Sequence, residues 1–569
     1  MTLRSGAWFQ GDDEVALDAR VAMAMSGHPV HGSDAPVIGL ANSSSDLNPC
    51  NQPLDDLVAS LRFGIEEVGG VAVQFPVMSL GEDIMKPAAM LYRNLVAMEV
   101  EESLRSQPLD GVIVLAACDK SVPAGLMGAF SANLPTLLVM SGPRPSAHFK
   151  GRRIGTGTDL WRTWDERRAG TISDDDWKDF EEALTLGRGT CNTMGTASTM
   201  GVIAETLGLA WPGVTSIPAG DARHHDAARE LGRRIVAMVR DDVRPDRIDR
   251  RAFLNATSVL SAIGGSTNAV IHLTALARRL GVDFTLDDVD RAGRSVPVLA
   301  DIEPSGQGLM EDFDRAGGTP ALWRSLGSIL DGDVVTATGE TIATVAARAP
   351  ESSDVIRSLS NPIDADGAFR VVRGNIAPDG ALIKRSAATK ELLVHRGPAI
   401  VLRSAKEADV FSSSTLEIDP SSVLVLAGAG PVGGPGMPEW GMVSLPPSVL
   451  RAGVTDMVRV TDARMSGTSF GTVFLHVAPE AAAGGALGLV ESGDIISVDA
   501  DGGTISLDVS DDELAERRTR PAAPRRVERG YVSFYAAHVL QAPDGCDFDF
   551  LVGTPGEAPR LIEPVVGRS

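Results

Sequence analysis

The chain has 569 residues, 43% hydrophobic and 22% charged, which is too long for one hydrophobic core, so two or more domains are expected. Its 52 Lys and Arg against 75 Asp and Glu leave a net charge of −23, which argues against nucleic acid and anionic membrane as partners but not against a small anionic substrate met by a local cation. Four cysteines do not make a disulfide framework, and with no apolar leader segment or membrane-length run a soluble cytoplasmic protein is expected.

In chain order, PVIGLANSS (36–44) reads as a strand and LDDLVASLRFGIEEVGG (54–70) as an amphipathic helix closed by glycine. VAVQFPVMS follows as a strand and residues 86–106 as a helix. GVIVLAAC (111–118) and PTLLVMSG (135–142) are strands with a short helix between them. This alternation predicts an α/β layer with a largely parallel sheet. Residues 195–350 read as mostly helical, with helices near 226–241, 266–280 and 340–348.

The pattern changes near residues 375–385. PAIVLR (398–403), SVLVLAG (422–428), DMVRV (456–460), DIISVDA (494–500) and TISLDVS (504–510) are short strands, and Asp501-Gly502-Gly503 reads as a hairpin turn. The polar stretch 350–367 leads up to the change. Two domains are expected, residues 1–375 as the α/β part and 376–569 as the β-rich part.

Cys50, Cys118 and Cys191 all fall at strand ends or turns rich in Gly, Pro and Asn. Loops at the carboxyl ends of strands are where α/β domains build sites. Three separated thiolates suit an iron–sulfur cluster better than structural zinc, whose ligands come as close pairs, and they leave an open iron position able to act as a Lewis acid. Cys546, in GCDFDF, reads as structural.

Asn48-Pro49-Cys50-Asn51, Ala117-Cys118-Asp119-Lys120-Ser121-Val122-Pro123 and Thr190-Cys191-Asn192-Thr193-Met194-Gly195 resemble the three cluster-binding motifs of the dihydroxy-acid/sugar-acid dehydratase family. Gly264–Val270, Pro304–Phe313, Asn375–Lys384, Gly433–Met437 and Thr461–Gly467 resemble further family blocks in the same order, so the resemblance covers nearly the whole chain. It implies an N-terminal α/β domain, a C-terminal β-barrel-like domain and an active site between them. It also implies a [2Fe–2S] cluster on Cys50, Cys118 and Cys191, a small-molecule sugar-acid substrate, and a homodimer or homotetramer.

In similar enzymes the Asp after the second cluster cysteine binds Mg²⁺ and the following Lys is carbamylated, which assigns Asp119 and Lys120 these roles. A carbamate is a hard oxygen donor that suits magnesium where an ammonium does not. The bland alternative for Asp119 is a helix N-cap. Glu82 and Glu439 carry over as the other metal ligands, with Asp83 a rival to Glu82. Ser466 carries over as the catalytic base, acting as an alkoxide, with Thr468 in the same pocket; a bare turn serine is the alternative. Many relatives have a His shortly after the first Cys-Asn pair, where this chain has Gln52-Pro53.

Gly428–Gly433 fits G-x-G-x-x-G after a strand, but Pro431, Gly434, Pro435 and Gly436 forbid the helix a dinucleotide needs. No Ser-His-Asp arrangement is legible, so a hydrolase gains no support. A redox or non-catalytic iron–sulfur protein is a further alternative.

Three places resemble the sugar-acid branch rather than the branched-chain dihydroxy-acid branch: Cys191–Met200, the segment 80–90, and Asp462–Thr468, where Thr468 stands in place of a glycine. That favours five- or six-carbon aldonates over dihydroxyisovalerate.

Overall fold

The structure is a computed structural model and describes residues 3–30, 34–414, 418–519 and 529–554. Four strands, β1 (Val37–Asn42), β2 (Val71–Pro76), β3 (Gly111–Leu115) and β4 (Thr136–Val139), form an all-parallel sheet in the order β2-β1-β3-β4. Both faces are buried, as parallel sheets require. Ile38, Leu40, Ile113 and Leu115 point to one core and Val37, Ala41, Val112 and Val114 to the other. The first core is closed by the helices Leu54–Glu67 and Arg223–Arg240. In Leu54–Glu67, residues Leu54, Leu57, Leu61 and Ile65 make the buried stripe while Asp55 and Asp56 favour its N-terminus. A short hairpin, β5 (Ala147–Phe149) and β6 (Arg152–Ile154), stands apart from the sheet.

The second half is a closed barrel of β7 (Phe369–Gly374), β8 (Ala377–Lys384), β9 (Val394–Leu402), β10 (Val423–Leu426), β11 (Arg459–Thr461), β12 (Val473–Ala478), β13 (Ile495–Asp499) and β14 (Thr504–Leu507). Its strand order is β10-β11-β12-β8-β7-β14-β13-β9. Asp499 pairs with Thr504 across the expected Asp501–Gly503 turn. Val372, Ile383, Val425, Phe474 and Ile496 fill the interior. Alternate residues of β7 and β8, namely Phe369, Val371 and Leu382, join the core of the N-terminal half, so the two halves share a packed seam.

The barrel starts earlier than residue 376. β7 lies before that boundary, and β7, β8 and β12 are strands that the sequence pattern did not announce. Arg370 interrupts the apolar run of β7, yet it is buried and donates to the Gly293 and Phe369 carbonyls. Among the described residues, no helix is long and apolar enough to cross a membrane.

Candidate active site

One cavity of about 540 Å³ is lined by Cys50, Cys118 and Cys191, by Glu82, Asp119 and Glu439, and by Ser466 and Thr468. The N-terminal half supplies its residues from loops after β1, β2 and β3 and from the turn before the helix Thr196–Thr206. The barrel supplies Glu439 after β10 and Ser466 after β11. The sites thus sit at strand carboxyl ends, where open α/β sheets bind ligands.

The asparagine beside each outer cysteine fixes its loop. Asn51 is fully buried; its Oδ1 accepts the amides of Ala117 (3.1 Å) and Cys118 (2.8 Å). Its Nδ2 donates to the hydroxyls of Ser43, Ser79 and Ser121, at 2.9, 3.0 and 3.0 Å. One side chain therefore locks the loops after β1, β2 and β3, and brings Cys50 beside Cys118. Asn192 does the same for Cys191, accepting Thr156 N (2.7 Å) and Thr156 Oγ1 (2.8 Å) while donating to the Ile154 carbonyl (3.2 Å). Losing either acceptor strands buried N–H groups at about 1–3 kcal/mol each.

The Cys50 thiol and burial push Cys118 well up, and burial pushes Cys191 up to about 11 against the charge of Arg144. As free thiols these groups hold their protons, so binding a metal there must release them. Cys546 is elsewhere: it is buried with its Sγ 3.7 Å from Met437 Sδ, and its carbonyl accepts from Arg93 and Asn94.

Lys120 Nζ, fully buried, is the point on which the acids converge: Asp119 at 2.7 Å, Glu82 at 3.3 Å and Glu439 at 3.6 Å. Glu82 is the acid of its pair that reaches Lys120, whereas Asp83 sits toward Cys191 and opposes its ionisation. Asp119 is no helix cap; the helix Ser121–Ala132 takes Lys120 as N-cap, without a side-chain cap bond. Pro53 likewise stands as N-cap of Leu54–Glu67. Burial resists ionisation of Glu82, but Lys120 and Arg464 outweigh it and hold the carboxyl below its usual range. Asp119 is pushed up to about 6, first by burial and then by repulsion from Glu82 and Glu439, with Lys120 opposing.

Two residues with no role assigned from sequence complete this corner. Arg464 is fully buried and donates to Glu439 Oε1 (2.9 Å) and to the Met437 carbonyl (2.7 Å). Asn268, from the N-terminal half, donates to Glu439 Oε1 (2.6 Å) and to the Met465 carbonyl (3.3 Å). Asn268 thereby ties the barrel loops to the α/β half at the site itself. Both stand inside family blocks, which was the available signal.

Ser466 Oγ lies 3.0 Å from Thr468 Oγ1, and Trp161 Nε1 donates to Thr468 Oγ1 at 3.4 Å. The helix Thr158–Ala169 carries Trp161, and Thr158 Oγ1 donates to the Thr468 carbonyl at 3.0 Å. Two glycines make room. Gly157 has φ +96°, and a Cβ there would stand 2.4 Å from Thr468 Oγ1. A Cβ on Gly467 would stand 2.7 Å from Thr196 N. Trp161 carried no sequence signal.

The glycine-rich loop 428–433 forms no helix, and four of its amides are already taken. Gly428 and Ala429 donate to Asp462, at 3.0 and 2.9 Å, and Val432 and Gly433 to Glu480, both at 2.8 Å. Carboxylates of the chain itself fill the place a phosphate would need.

The donors fit the expected groups by chemistry. Three thiols on one cavity are soft ligands, and three carboxylates around one lysine are hard oxygen donors. Among the described residues, no three His, Cys, Asp or Glu side chains stand at ligand spacing; at the acids, the Lys120 ammonium stands in the centre of the group.

Comparison with known proteins gives the family. Residues 35–345 match the N-terminal model, and residues 354–546 the C-terminal model, of dihydroxy-acid/6-phosphogluconate dehydratases. The chain is 47% identical over 568 residues to the L-arabonate dehydratase of Azospirillum brasilense, covering 97% of each chain. It is 44% identical over 557 residues to the 6-deoxy-6-sulfo-D-gluconate dehydratase of Pseudomonas putida, covering 96% of each. It is 37% identical over 548 residues to the dihydroxy-acid dehydratase of Roseiflexus castenholzii, covering 94% of this chain and 97% of that one. Matched over both halves, the chain belongs to the dihydroxy-acid/6-phosphogluconate dehydratase family.

Proposed function

We propose that the chain removes water from a 2,3-dihydroxy sugar acid to give the 2-keto-3-deoxy acid, with Ser466 as the base. The observation that carries this reading is that the Ser466 hydroxyl opens on the same cavity as three thiols and three carboxylates. Cys50, Cys118 and Cys191 would hold a [2Fe–2S] cluster. Glu82, Asp119, Glu439 and a carbamylated Lys120 would hold Mg²⁺. When bound, these groups supply Lewis acidity toward the C3 hydroxyl and positive charge toward the carboxylate and C2 hydroxyl.

The protein's own part begins at Ser466 Oγ, which takes the C2 proton. Trp161 Nε1 is a donor only, so its bond to Thr468 leaves the Thr468 proton free to point at Ser466 Oγ and steady its negative charge. The proton that Ser466 has taken passes to the departing C3 hydroxyl, which leaves as water and restores the base; the enol left behind tautomerises to the ketone. Arg464 and Asn268 keep Glu439 aimed at the cavity through the cycle.

A sugar acid is favoured over a branched-chain dihydroxy acid because Thr468 places a hydroxyl beside the base where that branch has glycine. The sugar-acid names of the Azospirillum and Pseudomonas relatives point the same way. The test is a side-by-side assay of 2-keto acid formation from L-arabinonate, D-xylonate, D-fuconate, D-galactonate and 2,3-dihydroxyisovalerate. One of the aldonates is expected to lead by about tenfold or more in kcat/KM, ~1.4 kcal/mol. Dihydroxyisovalerate as the best substrate would overturn the substrate and leave the dehydration chemistry standing.

A further inference from the structure

The helix Thr158–Ala169 forms one wall of the cavity, to which it presents Leu160, Trp161, Trp164 and Asp165. Residues 160 and 164, and 161 and 165, are four apart and so share one helix face. The helix has a direction relative to the chemistry. Its first turn is fastened at the base loop, where Thr158 and Trp161 both bond Thr468. Its last turn is fastened to a different part of the barrel half, where Arg168 Nη2 donates to the Ser412 carbonyl. Asp165 stands four residues beyond Trp161, about 6 Å farther along the helix axis. It therefore lies in the outer part of the cavity, at a span from the base that a carbon chain running from C2 to C6 bridges.

Asp165 is half-buried, and it is the acid on this wall that the metal assignment leaves unused. Among the described residues its carboxylate has one partner, Arg168 at 3.7 Å, too far for a hydrogen bond. Arg168 Nη1, the atom in that pair, is itself without a hydrogen bond. Burial holds the Asp165 carboxyl above its usual range, against the charges of Arg168 and Arg459. Arg459 is committed elsewhere, to Asp456 at 2.8 Å and to the Val443 carbonyl at 2.9 Å. Two acids and two arginines thus balance at this end of the cavity. What remains there is a carboxylate acceptor without a donor, beside the ring of Trp164, with the Ser444 hydroxyl of the barrel half on the same lining. A hydroxyl group is the donor that such an acceptor takes without upsetting the charge balance. A hydrogen bond to an ionised acceptor partly withdrawn from water is also among the stronger kinds.

We propose that Asp165 is a specificity-determining residue for the tail of the sugar acid. It accepts a hydrogen bond from the terminal hydroxyl of a six-carbon aldonate whose C2 lies at Ser466. This rests on the sugar-acid reading and narrows it.

The test uses the holoenzyme and its Asp165→Ala and Asp165→Asn variants. Two matched pairs differ only in the C6 hydroxyl: D-galactonate with D-fuconate, and D-gluconate with 6-deoxy-D-gluconate. In at least one pair the parent should prefer the hydroxylated member by about fivefold or more in kcat/KM. Asp165→Ala should cut that preference to about twofold or less, mainly by raising KM for the hydroxylated member, while the deoxy member hardly moves. Asp165→Asn, whose amide oxygen still accepts, should keep part of the preference. Iron content and visible absorbance should match the parent in both variants. A smaller preference in both pairs of the parent overturns the inference, as does an unchanged preference in either variant. An equal loss on both members overturns it too, and would mean that Asp165 only steadies the helix through Arg168. Turnover of pentonates with neither hexonate pair accepted overturns this inference and leaves the sugar-acid reading standing. A parent that turns over no aldonate of any length removes that reading, and this inference with it.

Discussion

The Thr468 hydroxyl lies between two partners, 3.0 Å from Ser466 Oγ and 3.4 Å from the indole nitrogen of Trp161. The chain Trp161–Thr468–Ser466 joins a helix of the α/β half to a loop of the barrel, so the Ser466 side chain is set by contacts from both.

Ser466→Ala should fold, retain its iron and magnesium and lose turnover by about 10²–10⁴-fold, the usual contribution of a proton-transfer group. Thr468→Val should lose less, about tenfold, because it removes the supporting hydroxyl and not the base. Steady-state kinetics with metal analysis of the same preparations decides. A Ser466→Ala enzyme within about threefold of the parent would show that another group takes the proton.

Cys50→Ser, Cys118→Ser and Cys191→Ser should each lower cluster content, whereas Cys546→Ser should keep it, since that thiol packs against Met437 away from the cavity. Iron and sulfide analysis of anaerobically purified protein measures this. A full cluster in Cys118→Ser would remove the three-thiolate assignment.

Glu82→Gln, Asp119→Asn and Glu439→Gln should weaken magnesium binding and activity together, because each removes one oxygen donor from the group around Lys120. Equilibrium metal binding reports the first effect independently of the second. Mass spectrometry of native protein should find Lys120 carrying an added carboxyl group. Activity that survives selective removal of magnesium, with the cluster intact, would show the acids to be structural.

Lys384, the last residue of β8, is buried with no hydrogen-bond partner for Nζ, and burial alone lowers its pKa from 10.5 to about 7. Between those values the unfolded chain binds a proton that the folded chain refuses. Stability therefore falls as pH drops from about 10.5 to about 7, and levels off below. Lys384→Met removes that penalty, on the order of several kcal/mol, because each tenfold loss of proton affinity on folding costs ~1.4 kcal/mol. The Tm advantage of the variant should grow from pH 10 to pH 7 and stay constant at lower pH. A Tm difference that does not change over this range would mean that the lysine finds a partner.

Much of the site was legible without coordinates, for a local reason. A cysteine in a Gly-, Pro- and Asn-rich turn after an apolar strand needs only the strand pattern to be placed, and Cys50 and Cys118 fall after β1 and β3 as expected. Glycines 428–433 were correctly refused a helix from their prolines. The two-part organisation was legible too, because the strand pattern changes along the chain itself.

What the sequence determined was the order of the elements, the chemical kinds of side chain at strand ends, and the family. What only the tertiary structure decided was which of them meet. Lys120 is drawn to three acids, of which Glu439 lies more than half the chain away. The contacts of Asn268 with Glu439 and of Trp161 with Thr468 each join the α/β half to a loop of the barrel half. The three barrel strands that the sequence pattern did not announce belong here as well. β12 is buried along its whole length, and β7 carries a buried arginine, so neither shows the polar–apolar alternation of a half-exposed strand. Equally buried β10 was legible as an unbroken apolar run, whereas buried Arg370 in β7 and buried His476 in β12 break theirs.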